Sequence, residues 1–201
     1  MFKSAFNPDQ QNKDLTSKTV AALERISQVY RLLLWDHAKE LGLSPIQIQL
    51  LIFVGHHQAA LCNVSYLAKE FNVTKPTISD AVRVLFQKGK IEKTYSEIDK
   101  RAYTISLSPA GEEIVAQTAG FADPVQEIIG KYDTDSQTQL FTFLSEIIQQ
   151  LQQAKILTTQ RHCYACRFYQ KNTAGAYCTL LDQKLQAEEI RLDCPEFESQ
   201  R

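Results

Sequence analysis

Four of the five cysteines fall in one stretch, as His162-Cys163-Tyr164-Ala165-Cys166, then Cys178, then Asp193-Cys194-Pro195, with the spacing C-x2-C-x11-C-x15-C. Thiolates are soft ligands suited to zinc or to iron–sulfur clusters, and a C-x2-C pair clasps a centre from a single turn. The second pair is split instead of forming another C-x2-C knuckle. Tyr164, Phe168, Tyr169, Tyr177 and Phe197 are interleaved with the cysteines as bulky groups able to shield a centre from water. Both details favour an iron–sulfur cluster over zinc, with Cys163, Cys166, Cys178 and Cys194 as the ligands. Structural zinc stays open, and so do free or disulfide-forming thiols. His162 reads as a neighbour of the knuckle, and Cys62, far away in the chain, as a small buried hydrophobe.

A second group of residues suits contact with a polyanion. Lys75, Thr77, Ser79, Asp80 and Arg83 share one face of a helix expected from Thr74 to Gly89. Hydroxyls, a carboxylate and a guanidinium near a helix N-terminus fit base edges and phosphates of a major groove. Lys100 and Arg101 follow in a polar turn, Ser96-Glu97-Ile98-Asp99-Lys100, where they could meet phosphate or an adjacent minor groove. Taken alone, such a face is no more than a solvated one. The order of elements around it decides the matter.

Those elements begin after a polar, frayed opening of residues 1–14. Leu23, Ile26, Tyr30, Leu33, Leu34 and Leu41 recur at helical spacing from about Leu15 to Leu41, and Gly42 stops the run. Ser44-Pro45-Ile46-Gln47 opens a second helix with a cap, a first-turn proline and a capping-box glutamine. A short helix from about Asn63 to Phe71 is joined by the tight Asn72-Val73 connection to the polar-faced helix. Leu67, Ala68 and Phe71 would pack on Ile78, Val82 and Leu85. Two strands follow, Ile91 to Tyr95 and Ala102 to Leu107. Ser108-Pro109 caps a helix expected to bend near Asp123-Pro124, and a last helix carries Leu140, Leu144, Ile147 and Leu151 on one stripe. His56 and His57 read as a polar helix end, and Trp35 and His37 as packing residues.

Helix, turn, helix, ribbon and helix in this order specify a mainly α fold with a small β-ribbon, a winged helix-turn-helix plus a helical dimerisation domain. The expected organisation is a DNA-binding unit at 45–107, a dimerisation region at 15–44 and 108–157, and a cysteine-rich tail at 158–201. The chain resembles the MarR (multiple antibiotic resistance regulator) family from about Leu15 to Ile156. The resemblance is carried by Val64-Ser65-Tyr66-Leu67-Ala68, Thr77-Ile78-Ser79, Leu85-Phe86-Gln87-Lys88-Gly89, Asp99-Lys100-Arg101 and Leu107-Ser108-Pro109-Ala110-Gly111. It implies double-stranded DNA as partner, and a homodimer held by helices Leu15–Leu41, Ser108–Tyr132 and Asp135–Ile156. It also implies that Asp99 and Arg101 brace the wing and touch DNA. The wing has a single Lys-Arg pair where many relatives carry more arginine, which implies modest affinity. The tail separately resembles, loosely, small iron–sulfur proteins of the high-potential type.

The formal net charge of -1 excludes a generally basic, polyanion-coating protein but leaves a local DNA footprint intact. No run has the apolar length of a membrane span, and the N-terminus lacks a signal-peptide core, so the cytoplasm is expected. No phosphate loop, nucleophile elbow or H-E-x-x-H helix supports an enzyme. The expected function is a transcriptional regulator on a pseudo-palindromic operator, switched by its cysteine centre. A structural zinc tail with a small-molecule effector in the dimer-domain crevice is the alternative. A redox or electron-transfer protein using the winged helix as an interaction module is the competing class.

Overall fold

The structure, a computed structural model, describes residues 4–99, 101–157, 161–173 and 175–200. Lys100, expected to touch DNA, lies outside the described residues. The opening segment contains one helical turn, α1 (Pro8–Gln11), begun by proline after an Asn7 cap. Asp14 then caps the long helix α2 (Leu15–Leu41), accepting from the amides of Thr16 and Ser17, and Gly42 closes it at φ 61°. Only a left-handed residue lets the Leu43 amide reach back to the Ala38 carbonyl, at 2.9 Å.

Helix α3 (Pro45–His56) starts on the expected capping box between Ser44 and Gln47 and is the centre of the core. Gln47, Ile48, Leu50, Leu51 and Phe53 are all buried, so it is covered on nearly every side. Around it pack α4 (Val64–Glu70) and α5 (Lys75–Gln87), whose Leu67, Ala68, Ile78, Val82 and Leu85 meet as the hydrophobic pattern requires. Phe71 joins them from the rim. Between the two helices Asn72 takes φ 51°, and the Val73 amide returns to the Ala68 carbonyl. Asparagine tolerates this left-handed turn better than other residues with a Cβ.

Strands β1 (Ile91–Tyr95) and β2 (Tyr103–Leu107) pair antiparallel, Ile91 opposite Leu107 and Tyr95 opposite Tyr103. Ile105 points into the core and its amide binds the Cys62 carbonyl, which fixes the ribbon to the segment before α4. The single bent helix expected after Ser108 is instead two, α6 (Pro109–Thr118) and α7 (Asp123–Ile129). Pro124 sits in the first turn of α7, where its missing amide proton costs nothing, and so starts a helix there instead of bending one. Helix α8 (Thr134–Gln153) follows an Asp133 cap. Its Leu140, Ile147 and Leu151 remain exposed, as do Leu23 and Ile26 of α2.

The tail folds on its own small sheet, which its residue pattern does not announce. Strands β3 (Tyr169–Asn172), β4 (Gly175–Cys178) and β5 (Gln183–Leu185) form an antiparallel meander. A second hydrophobic cluster of Cys163, Leu185 and Ile190 seats this sheet on Phe141 of α8. The tail therefore covers one face of α8 and leaves the leucine and isoleucine stripe open. Among the described residues no helix is long and apolar enough to cross a membrane.

A close approach locks the wing to its neighbours. The Ser108 hydroxyl donates to the Gly89 carbonyl at 2.6 Å, and the Ser108 amide donates to the Lys90 carbonyl. Gly111, in the first turn of α6, lies so near that a Cβ there would stand 2.0 Å from the Lys90 carbonyl oxygen. Gly111→Ala is expected to cost about 1–3 kcal/mol, the usual range for overpacking a closed contact. Urea unfolding measures it, and an unchanged midpoint would show that the two backbones separate freely.

Candidate functional site

The face expected to read DNA is fully presented. Lys75, Thr77, Ser79, Asp80 and Arg83 are exposed along α5, opposite its buried Ile78, Val82 and Leu85. Thr74 caps the helix, accepting from the Thr77 amide, and its hydroxyl also meets the Thr77 hydroxyl at 2.8 Å. Arg83 is held by Asp80 one turn away, at 3.2 Å. In the wing, an Asp99 carboxylate oxygen accepts from the Arg101 amide at 2.9 Å, so Asp99 shapes the turn that carries Arg101. Arg101 and Ser79 line one groove with Asn63, Ser65 and Tyr103, which places wing and reading helix on a common side. Lys93 of β1 behaves differently. Its ammonium lies 4.8 Å from the ring centroids of both Phe86 and Tyr103, so this cation stiffens the root of the wing.

All four tail cysteines line a single apolar cavity with Phe168, Tyr169, Leu180, Leu181 and Leu185. A 3-10 turn, Cys163–Ala165, presents the knuckle; Cys178 ends β4 directly opposite Tyr169; Cys194 lies in the returning loop. All four are free thiols. The Arg191 amide donates to Cys163 Sγ at 3.2 Å, and the Arg191 guanidinium lies 3.5 Å from Cys194 Sγ. Burial pushes the Cys163 thiol up, and the Arg191 amide works against it.

This donor set can be tested against the two centres. Four thiolates on one zinc each lie about 2.3 Å from it and crowd together. Among the described residues no three His, Cys, Asp or Glu side chains gather closely enough to hold a single ion, and the cysteines are instead spread round a cavity. Glu196 also lines this cavity, and the Cys194 thiol donates to its carboxylate at 3.3 Å. His162 is not in this chamber. Its Nδ1 accepts from the Tyr164 amide, and the ring is fully buried beside Tyr164. Burial lowers its pKa, and the neighbouring Ser145 backbone of α8 works against that shift. Cys62 is buried as expected, with its thiol pushed up by burial.

The residues that carry no mark in the sequence lie where the tail meets the winged helix. Arg161 donates to both oxygens of Asp193, at 2.5 and 2.7 Å, and to Glu70 of α4 at 2.7 Å. It also reaches the Tyr66 hydroxyl at 2.6 Å, and its guanidinium lies 5.2 Å from the Phe53 ring centroid. Burial works against its charge, but the hydrogen bonds to Asp193, Glu70 and Tyr66 outweigh it, so its pKa stands above the usual value. The Arg161 hydrogen bond likewise holds the Asp193 carboxyl below its ordinary range. His57 is part of this group and not merely a polar helix end. It stacks on Phe53 at 3.8 Å, with Nδ1 on the Phe53 carbonyl and Nε2 on Asp193. Trp35, expected to pack, is exposed and lines a crevice of about 430 Å³ with Tyr30, Leu34 and Phe121.

Residues 41–102 match the family model described as MarR family. No curated protein matches the chain. Among solved structures, S. aureus MepR in complex with DNA is 20% identical with a TM-score of 0.59, covering 66% of this chain and 97% of its own. A MarR transcriptional regulator from Methanosarcina mazei Go1 is 18% identical with a TM-score of 0.56, covering 70% and 98%. Streptococcus pneumoniae FabT in complex with DNA is 20% identical with a TM-score of 0.56, covering 70% and 99%. At these identities the likeness is one of fold, the winged helix with its flanking helices. Each of these chains is matched almost end to end, whereas about a third of this one has no counterpart in them, and the matched family segment ends well before the four tail cysteines.

Burial of Cys62 at 1% exposure gives a direct check on the core around the wing root. Iodoacetamide is expected to leave Cys62 unmodified in the folded protein and to modify it after denaturation. Rapid native labelling there, read by peptide mass, would mean that the ribbon opens readily.

Proposed function

We propose that the protein is a MarR-type DNA-binding transcriptional regulator that acts as a homodimer and carries a cysteine-ligated iron–sulfur centre in its tail. The observation that supports DNA binding best is the shared groove of Ser79 on the reading helix and Arg101 on the wing. Side chains of α5 would enter the major groove, with Thr77, Ser79 and Arg83 nearest the base edges and Lys75 near phosphate. The Asp99 turn holds the Arg101 backbone, so its guanidinium would be delivered to the flanking backbone without ordering a loop. A second copy would cover the apolar stripes of α2 and α8, where Phe143 is 62% exposed.

Cys163, Cys166, Cys178 and Cys194 would hold the cluster, with Arg191 donating to the sulfurs of two of them. Such a centre, when bound, supplies a redox- and iron-sensitive element whose loss alters the packing of the tail. Structural zinc is the second reading, with an effector in the Trp35 crevice. An electron carrier that uses the winged helix for protein contacts would need no exposed reading face, and this chain has one.

Gel shifts with a duplex selected from random sequence test the DNA reading. Arg101→Ala is expected to lower the slope of log affinity against log salt by about 1 for each phosphate it no longer neutralises. Arg83→Ala is expected to weaken binding by about 1–3 kcal/mol and to relax the preference at one base pair per half-site. Phe143→Glu is expected to yield monomers on light scattering that no longer shift DNA. Salt-independent binding by the wild type would sink the regulator reading. For the tail, anaerobic purification is expected to give a brown protein with iron and sulfide, absorbing near 400 nm and bleached in air. A colourless protein with one zinc per chain would make the tail a structural staple.

A further inference from the structure

We infer that Arg161 is the coupling residue between the cysteine tail and the reading unit, tying the loop that carries Cys194 to helix α4. The inference rests on reading the tail as a responsive thiol centre. Its geometric basis is independent of what the thiols bind.

The Arg161 side chain is only 8% exposed. On the tail side it holds Asp193 through two hydrogen bonds, and Asp193 adjoins Cys194. On the reading side it holds Glu70 and Tyr66 of α4, while its Nη2 lies 3.2 Å from His57 Nε2 at the end of α3. The guanidinium is mostly shielded while Asp193 is about half exposed, so losing either carboxylate leaves a largely buried charge with fewer partners, and the two carboxylates tend to shift together with it. The planar fork also fixes the angle between them, which a lysine could not do.

The connection to the thiols is equally short. The Arg161 carbonyl accepts from the Cys194 amide at 2.9 Å, the Cys163 amide donates to the Arg191 carbonyl at 3.0 Å, and the Arg191 amide donates to Cys163 Sγ. Movement of Cys163 or Cys194 therefore acts on the Arg161 segment through one or two hydrogen bonds. The tail also meets α8, where Phe141 packs against its cluster and His162 lies beside the Ser145 backbone. Among these contacts the Arg161 group is the one that reaches the helix-turn-helix. The first helix of the helix-turn-helix is thus the element placed to respond, and α5 follows because Leu67 and Ala68 pack on its buried face.

The test uses the full-length protein and the variant Glu70→Gln, which leaves every tail residue unchanged and lies outside the proposed DNA-reading face. Two quantities are measured before and after treatment: affinity for the selected duplex, and hydrogen exchange of the α4 amides. Treatment is air oxidation of protein carrying a centre, or iodoacetamide on the tail thiols of protein without one. In the wild type, affinity is expected to change by about tenfold, within the ordinary range of coupling between sites, and α4 exchange to rise. In Glu70→Gln, with metal content equal to wild type, the change is expected to fall below about twofold and α4 exchange to be insensitive to treatment. A full tenfold response in Glu70→Gln would overturn the assignment of Arg161, and so would a wild type whose affinity and α4 exchange ignore both treatments. Absence of iron and sulfide would defeat only the cluster reading, because the alkylation arm still decides the coupling. Arg161→Met, which keeps the stem over Phe53, is expected to repeat the Glu70→Gln result.

Discussion

A guanidinium withdrawn from water imposes conditions on everything near it. Arg161 carries a fixed charge that cannot be neutralised by losing a proton, so the fold must bring it compensating oxygens. Asp193, Glu70 and the Tyr66 hydroxyl meet that demand, drawn from the tail and from α4. The demand explains why the tail returns towards α4, and why the loop before Pro195 passes beside the end of α3. It also explains the stack of His57 on Phe53, which floors the charge with an apolar surface and presents a ring nitrogen to Asp193.

At the base of the wing the constraint is steric. The end of α5, the root of the wing and the first turn of α6 meet within the span of one missing side chain at Gly111. Ser108 adds hydrogen bonds to the two carbonyls at this junction. Reading helix and wing are consequently tied at their bases, while their polar faces stay open. The turn that carries Arg101 lies at the far end of the ribbon from this junction, where the Asp99 carboxylate accepts from the Arg101 amide.

Much of the winged helix was legible in the sequence because its signals are local. Ser44, Thr74 and Ser108 each precede a helix that begins at the next residue, and Gly42 ends one by its positive φ. The division of α6 from α7 was harder, since Pro124 could have kinked a helix or begun one, and the periodicity continues across the break. The four cysteines were conspicuous by type and spacing, and they do share a cavity. Their sheet was not foreseen, because its strands are short and mostly polar, without the alternation that marks a half-buried ribbon. Glu70 and Arg161 gave no sign at all, and His57 read only as a polar helix end. A pairing across 91 residues leaves no pattern in either neighbourhood. Lys93 was similarly invisible, since nothing in its strand says that two rings flank it.

The separation of those partners also fixes an order in time. A chain synthesised from its N-terminus completes α3, α4, α5 and the ribbon long before Arg161 and Asp193 leave the ribosome, and domains generally fold as they emerge. Glu70 therefore spends the interval in water, with Tyr66 and Phe53 uncovered beside it. During that interval the winged helix already has the residues of its own core, which come from α2 to α6. The contacts of Arg161 with Glu70 and of Cys194 with Arg161 can form only after both have emerged, so the tail closes on a unit that is made before it.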